Sequence, residues 1–87
     1  MKKIKMFMMA SCPYCKEALR WMDELCKEDK KYEAIEIEII DERVQPEIAD
    51  QYDYYYVPTY YVGGKKLHEG AASLEKIRRV FDAALEE

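Results

Sequence analysis

The chain lacks an excess of basic residues. Its 87 residues contain 14 Lys and Arg against 18 Asp and Glu, which gives a net charge of −4, with both signs interleaved along the chain. A nucleic-acid surface needs a concentrated basic face, so the composition excludes that class of partner. With 49% hydrophobic and 37% charged residues, the composition is that of a soluble globular domain rather than a disordered chain.

Long apolar runs are also missing. The N-terminus, MKKIKMFMMASC, begins with lysines and ends in a segment that loosely resembles a bacterial lipoprotein cleavage box at Cys12. Lys5 interrupts its apolar stretch, whereas a signal peptide needs about 7–15 apolar residues and a membrane span about 18–20. We therefore expect a cytoplasmic protein, in which a pair of cysteines is more often catalytic or metal-binding than a structural disulfide.

Two β-strands are predicted in the first half of the chain. Residues 2–8 become apolar on both faces from Phe7 onward, as in a central strand covered on both sides. In residues 32–40 isoleucines alternate with glutamates, which predicts a strand whose buried face is formed by Ile35, Ile37 and Ile39. The outward glutamates of this second strand favour an edge position.

Three helices are predicted. The first follows the Cys pair and carries an apolar stripe formed by Cys15, Ala18, Leu19, Met22, Leu25 and Cys26. A short helix opens near Pro46, because proline is favoured in the first turn. Ser73 caps the last helix, whose apolar face is formed by Leu74, Ile77, Phe81, Ala84 and Leu85.

Two further strands, residues 57–62 and 65–69, look like a hairpin joined across Gly63-Gly64. The element order is then β-α-β-α-β-β-α, in one domain over residues 1–87. A β-α-β unit needs a right-handed crossover between parallel strands. We therefore expect an α/β fold with a four-strand mixed sheet and helices on both faces.

The segment SCPYC places two cysteines at the junction of a strand and a helix, where α/β proteins carry reactive groups. If Cys12 is the N-cap, Pro13 is the first helical residue, and the free amides of Tyr14 and Cys15 point back at the sulfur. A helix dipole supplies about 0.3–2 kcal/mol, at most about 1.5 pKa units, which would bring a thiol pKa from about 8.5 to near neutrality and no further. We predict that Cys12 is the nucleophile and that the shielded Cys15 is the resolving thiol.

A second Cys or His pair is absent, which argues against zinc. A zinc site normally needs four ligands, and the only other candidates are Cys26 and His68. In a straight helix Cys26 lies about 16 Å along the axis from Cys15, too far to share a metal or a disulfide with it. We therefore interpret Cys26 as a buried helix residue and His68 as a half-exposed strand residue, and expect no metal.

Pro58 is a second candidate for a role at the site. A proline at the start of a strand is tolerated because its missing N–H is not needed there. A cis Val57–Pro58 bond would leave the Val57 backbone free to pair with an extended peptide. An X-Pro pair alone is weak evidence, but together with a C-x-x-C that opens a β-α-β unit it supports a redox function.

These features resemble the thioredoxin-fold superfamily, and the glutaredoxins within it. CPYC at 12–15 is similar to the glutaredoxin dithiol motif, VPT at 57–59 to the cis-proline segment, and GG at 63–64 to the hairpin turn. The resemblance spans nearly the whole chain and implies strand order 2-1-3-4 with three helices. It also implies the roles of Cys12 as nucleophile, Cys15 as resolving thiol and Val57-Pro58 as substrate-facing backbone.

Several positions depart from the glutaredoxin pattern. Met9 stands where glutaredoxins usually have a glutathione-binding lysine, and residues 69–73, EGAAS, carry no carboxylate at the last two positions. EGAASLEKI is instead similar to the ending of thioredoxins, although Met6 replaces their buried aspartate. The chain thus resembles the small glutaredoxin-like thioredoxins of some prokaryotes. The resemblance implies substrate contacts from Pro13, Tyr14, Tyr56, Val57, Pro58, Gly70 and Ala71.

Six of the eight tyrosines lie between residues 52 and 61. Three of them, Tyr54 to Tyr56, fall in a predicted loop, where three consecutive buried rings are not expected. Either these rings pack like ordinary aromatic residues, or some of them line an exposed aromatic groove beside Cys12, together with Tyr14. The sequence leaves both interpretations open.

The leading hypothesis is a monomeric dithiol oxidoreductase that reduces protein or small-molecule disulfides. No cofactor is expected to be tightly bound, and electrons would come from glutathione or from a thioredoxin-reductase-type enzyme. One alternative is a non-enzymatic peptide-binding or metal-carrying module. Another is an iron–sulfur-bridged glutaredoxin dimer, which Pro13 disfavours in that family.

Overall fold

The computed structural model describes residues 1–86. Its four strands form one mixed sheet in the order β2-β1-β3-β4, which confirms the predicted topology. The elements are β1 (Ile4–Met8), α1 (Pro13–Glu28), a 3₁₀ helix (Lys30–Ala34), β2 (Ile37–Asp41), α2 (Pro46–Ala49), β3 (Thr59–Val62), β4 (Lys65–Glu69) and α3 (Leu74–Leu85). None of the helices in this described range is both long and apolar enough to cross a bilayer.

Strand β1 is central and covered on both faces, as its sequence predicted. It pairs in parallel with β2 and antiparallel with β3. Its side chains alternate between two clusters: Ile4, Met6 and Met8 pack in the cluster that includes α1 and α3, and Phe7 packs on the opposite face. Burial on both faces explains why this strand shows no alternation of apolar and polar residues at its end.

The predicted strand over residues 32–40 is wrong in its first half. Residues 30–34 form a 3₁₀ helix, which Asp29 caps by accepting a hydrogen bond from the Lys31 amide at 3.1 Å. The Tyr32 ring is buried against Phe81, with ring centroids 5.5 Å apart, and its hydroxyl donates to Asp82. These contacts with α3 are long-range, so the alternation of isoleucine and glutamate could not reveal them.

The buried face predicted for β2 is also only partly correct. Ile35 is buried but precedes the strand, and Ile37 is half-buried. Ile39 remains 47% exposed, whereas its neighbour Ile40 is fully buried on the other face. The predicted edge position is confirmed, and Lys3 pairs with the Glu38 carboxylate there at 2.8 Å. Ile40 packs with Phe7, Ala49 and Tyr61, so this long-range cluster decides which isoleucine of β2 is fully buried.

The hairpin and the last helix form as predicted. Gly63 and Gly64 have φ angles of 57° and 87°, the left-handed conformation that a two-residue type I′ turn requires at both positions. Strand β3 begins at Thr59, so Pro58 lies just before the strand rather than within it. The Ser73 hydroxyl accepts the Lys76 amide at 3.2 Å, which caps α3.

A cluster of aromatic rings covers the second face of the sheet beside the short helix α2. Phe7 is fully buried at its centre, with ring centroids 4.7 Å from Tyr52, 5.0 Å from Tyr54 and 5.8 Å from Tyr61. Two of these tyrosines, Tyr52 and Tyr54, come from the loop between α2 and β3. This aromatic loop, residues 50–58, therefore contributes part of the core.

We predict that Phe7→Ala destabilises the protein by about 3–5 kcal/mol, because it removes the ring on which three others pack. Denaturant unfolding would measure the loss. Val44→Ala is the control, since Val44 is 74% exposed and such surface changes stay within about 0.5 kcal/mol. Equal unfolding midpoints for the two variants would contradict the assigned core.

Candidate active site

The pairing register brings four segments to the same end of the sheet. At the carboxyl end of β1, Phe7 faces Thr59 of β3 and Met8 faces Asp41 of β2. Thr59 in turn faces Glu69 of β4. The segments that adjoin these residues therefore emerge together: the cysteine loop, the turn after β2, the proline segment before β3, and the end of β4.

Cys12 caps helix α1, as predicted. Its backbone is extended (φ −82°, ψ 121°), and Pro13 is the first helical residue. The Cys15 amide donates to the Cys12 carbonyl at 3.1 Å, while the Cys12 sulfur makes no capping hydrogen bond. The amides of Tyr14 and Cys15 nevertheless help to lower the pKa of Cys12. Both amides lie near the sulfur and act on it as the positive ends of peptide dipoles.

The two thiols have opposite environments. Partial burial opposes a charge on Cys12, but the amides of Cys15 and Tyr14 and the Cys15 thiol favour it, so the pKa of Cys12 is lowered. Cys15 is fully buried, and burial is the main reason why its pKa rises to about 11. The adjacent Cys12 adds to this increase. One thiol is thus accessible and acidified, and the other is shielded and protonated.

Asp41, which the sequence analysis did not select, fixes the loop that leads to Cys12. One carboxylate oxygen accepts the Ala10 amide at 3.2 Å, and the other accepts the Arg43 amide at 2.9 Å. The Cys12 amide donates to the Met9 carbonyl at 3.1 Å. The one available signal was the position of Asp41 at the carboxyl end of a strand, where α/β proteins place functional groups.

Glu42 follows Asp41 and is the charged group that acts on both cysteines. Its amide donates to the Met8 carbonyl at 2.9 Å, which holds it beside the end of β1. Its carboxylate accepts the Tyr54 hydroxyl at 2.8 Å, and its negative charge raises the pKa of both Cys12 and Cys15. Together with Asp50, Tyr52, Tyr54 and Tyr55, it lines a cleft of about 390 Å³.

The bond between Val57 and Pro58 is cis. The residues on both sides of Val57 are held in place: Thr59 Oγ1 donates to the Tyr56 carbonyl, and the Gly70 amide donates to the Pro58 carbonyl at 2.9 Å. Within residues 1–86, neither the amide nor the carbonyl of Val57 has a hydrogen-bond partner. The structure therefore leaves this one backbone unit free, as the sequence analysis expected.

The remaining predicted substrate residues occupy different environments. Pro13 and Ala71 are exposed, as is Tyr14 at 57%. Gly70 has a φ angle of 91°, which favours glycine, and its amide is already used by Pro58. Gly70 thus shapes the site through its backbone instead of offering a free donor.

The tyrosines divide between the two interpretations that the sequence left open. Tyr60 and Tyr61 are buried, and Tyr52 and Tyr54 are half-buried in the aromatic cluster. By contrast, Tyr55 is 86% and Tyr56 70% exposed. The exposed rings stand at the sheet end that carries Cys12. Part of the loop is therefore core and part is accessible surface.

The other metal-ligating residues lie apart from the cysteine pair. Cys26 lies on the same continuous helix α1 as Cys15, half-buried against the core. His68 is half-buried on β4, with Nε2 2.9 Å from the Gly70 carbonyl. Within residues 1–86, the His, Cys, Asp and Glu side chains form no group of three or more that could hold a metal ion.

Comparison with known proteins identifies the family. A family model described as a thioredoxin domain matches residues 2–82, so the chain belongs to the thioredoxin domain family. A search of curated proteins returned no match.

Solved thioredoxins share the fold. The oxidised thioredoxin of Plasmodium falciparum is 17% identical, with a TM-score of 0.74 over 98% of this chain and 82% of that one. Oxidised thioredoxin O1 of Arabidopsis thaliana is 20% identical, with a TM-score of 0.73 over 98% and 78%. Thioredoxin 1 of Thermosipho africanus TCF52B is 23% identical, with a TM-score of 0.61 over 97% and 99%. At these identities the likeness is one of fold.

The family and the cysteine geometry together indicate the class of chemistry. Cys12 and Cys15 lie close together at the start of the first helix of a thioredoxin-type domain. Their hydrogen-bonded pairing of an acidified thiol with a protonated one is the arrangement that thiol–disulfide exchange needs. The site is therefore a redox site of the thiol–disulfide oxidoreductase type.

We predict that the thiols alkylate in different pH ranges. In a Cys26→Ser background, iodoacetamide should modify Cys12 with a midpoint below the ordinary thiol pKa of about 9, because the thiolate is the reactive form. Cys15 should resist until the pH approaches about 11. Mass spectrometry of the adducts would assign each site, and coincident midpoints would contradict the assigned environments.

We also predict that Glu42→Gln lowers the pKa of both thiols, since it removes a negative charge that opposes the thiolates. At neutral pH, Cys12 should then alkylate faster than in the unmodified protein. Glu24→Gln, an exposed change elsewhere on α1, is the matched control. A slower reaction in Glu42→Gln would show that the carboxylate supports the thiolate.

Proposed function

We propose that the protein is a dithiol oxidoreductase that reduces protein or small-molecule disulfides. The observation that carries this proposal is the contrast between the partly accessible, acidified Cys12 and the buried, protonated Cys15. The Cys12 thiolate attacks one substrate sulfur, forms a mixed disulfide and releases the other sulfur as a thiolate. Cys15 then attacks Cys12, closes the Cys12–Cys15 disulfide and releases the second thiolate. Two electrons pass to the substrate.

The order of the two steps follows from the electrostatics. Burial keeps Cys15 protonated, and the hydrogen bond to Cys12 and the charge on it raise the pKa of Cys15 further. Once Cys12 is part of a mixed disulfide, its charge is gone. The contribution of Cys12 then disappears, and the pKa of Cys15 falls. The Cys15 proton passes to the released thiolate. Cys15 is therefore activated only after the substrate is bound covalently.

The surface around Cys12 supports an extended, protein-like substrate. The free amide and carbonyl of Val57 can pair with one residue of an extended chain. The exposed rings of Tyr14, Tyr55 and Tyr56 offer large contact areas with a polar end, a type of residue that is enriched at binding interfaces.

The electron donor is proposed to be a thioredoxin-reductase-type flavoenzyme, with glutathione as the alternative. Met9 supplies no charge at the position of the glutaredoxin lysine, and the Gly70 amide is bonded to Pro58. The Ser73 hydroxyl is used to cap α3. Glutathione would then have to rely on the remaining backbone groups, such as those of Val57. We further propose that the protein acts as a monomer in the cytoplasm.

Turnover measurements would test the function. We expect insulin or a glutathionylated peptide to be reduced with thioredoxin reductase and NADPH, and more slowly with glutathione and its reductase. Cys12→Ser should abolish all turnover, because the attacking sulfur is lost. Cys15→Ser should keep activity only on the glutathionylated substrate, where free glutathione can resolve the mixed disulfide.

The control is Cys26→Ser, which should retain full activity since Cys26 lies on the far part of α1. Retained activity in Cys12→Ser would refute the assigned nucleophile. Absence of turnover with every donor would instead favour a binding module. Faster turnover with glutathione than with thioredoxin reductase would show that glutathione is the preferred electron donor.

A further inference from the structure

Glu69 ends strand β4 at the same end of the sheet as the cysteines, facing Thr59. Its side chain turns towards the aromatic loop. Oε2 accepts the backbone amides of Tyr55, at 2.5 Å, and Tyr56, at 3.0 Å. Oε1 pairs with the Lys66 ammonium at 2.8 Å. All three contacts are charge-assisted, and such hydrogen bonds are roughly twice as strong as neutral ones.

Lys66 extends this connection to the start of the loop. Its Nζ also donates to the Asp53 carbonyl at 3.2 Å, and the same carbonyl accepts the Tyr61 hydroxyl at 2.7 Å. The loop is thereby tied to β4 through Lys66 and Glu69, at Asp53 as well as at Tyr55 and Tyr56.

Packing does not hold Tyr55 and Tyr56 in place. Their side chains are 86% and 70% exposed, and neither residue belongs to the hydrophobic clusters. The amides of these two residues are bonded to Glu69 alone among residues 1–86. Apart from the hydrogen bond from Thr59 Oγ1 to the Tyr56 carbonyl, the conformation of the segment that leads into Val57 therefore depends on the Glu69 carboxylate.

We propose that Glu69 is a positioning residue, which holds Tyr55 and Tyr56 so that Val57 presents its free backbone groups to an extended peptide disulfide. On the other side of Val57, the Gly70 amide holds the Pro58 carbonyl independently of Glu69. Glu69 thus completes the ordering of a binding edge before substrate arrives. This inference rests on the proposed function, because it names an extended peptide disulfide as the substrate of the proposed oxidoreductase.

The charge of Glu69 is maintained under all ordinary conditions. The Lys66 ammonium and the two amides hold the pKa of Glu69 down to about 2. The contribution of these contacts to the stability of the fold is therefore fully present above the usual carboxyl pKa of about 4.5. It is lost only as the pH falls through about 2. The ordering of the loop does not vary with pH in the range where thiols react.

Three variants test the inference. Glu69→Ala removes the acceptor, and Glu69→Gln keeps an oxygen that can accept the amides but loses the ion pair. Glu38→Ala is the matched control, because Glu38 makes an ion pair of the same length, 2.8 Å, with Lys3 at the opposite edge of the sheet. Each variant would be assayed for kcat/KM with an extended peptide disulfide and with 2-hydroxyethyl disulfide, which is too small to pair along Val57.

In Glu69→Ala we expect kcat/KM for the peptide disulfide to fall about tenfold, the factor that corresponds to re-ordering about one backbone residue on binding. The loss should lie in KM. The rate with 2-hydroxyethyl disulfide and the pH midpoint of Cys12 alkylation should not change. Glu69→Gln should restore most of the peptide activity, and Glu38→Ala should resemble the unmodified protein.

Amide hydrogen exchange provides a readout that does not depend on activity. The amides of Tyr55 and Tyr56 should exchange faster in Glu69→Ala than in the unmodified protein, and remain protected in Glu38→Ala. Unchanged exchange, or equal losses with both disulfides, would overturn the positioning role. If the unmodified protein reduced neither disulfide, the proposed function would fail while the exchange result still decided whether Glu69 orders the loop.

Discussion

Strand β1 is hydrogen-bonded on both sides, and the position of every group in the site depends on that pairing. Parallel pairing with β2 places Asp41 beside Met8, and antiparallel pairing with β3 places Thr59 beside Phe7. A slip of one residue in either register would turn the side chains of β1 to the wrong face and separate the cysteine loop from the proline segment. The burial of Phe7 on one face and of Met6 and Met8 on the other opposes such a slip.

The two cysteines differ because the helix begins between them. Cys12 stands at the cap, where the first amides of the helix favour a negative charge, and Cys15 lies on the buried stripe of α1. A separation of three residues is thus enough to move one thiol pKa down and the other up. The motif creates this difference in pKa. The core against which α1 packs sets the size of the difference, because burial is the main reason why the pKa of Cys15 is raised.

Two glutamates at the same end of the sheet act in opposite ways. Glu42 has the Tyr54 hydroxyl as its partner, so its charge still reaches the cysteines and opposes their ionisation. The negative charge of Glu69 is paired with Lys66 and with two amides, so it orders the loop. The difference lies in the partners of each carboxylate, since a charge that is paired locally exerts little influence at a distance.

The sequence alone determined the features that depend on neighbours along the chain. Cys12 as the cap, Pro13 as the first helical residue and the Gly63-Gly64 turn follow from local backbone geometry, and the strand order followed from the resemblance those motifs carry. Only the tertiary structure decided which tyrosines are core, why Tyr32 leaves the predicted second strand, and that Glu69 holds the segment before Val57. In each of these cases the partner is distant in sequence, as Phe7, Asp82 and Tyr55 are, so no local pattern could record the contact.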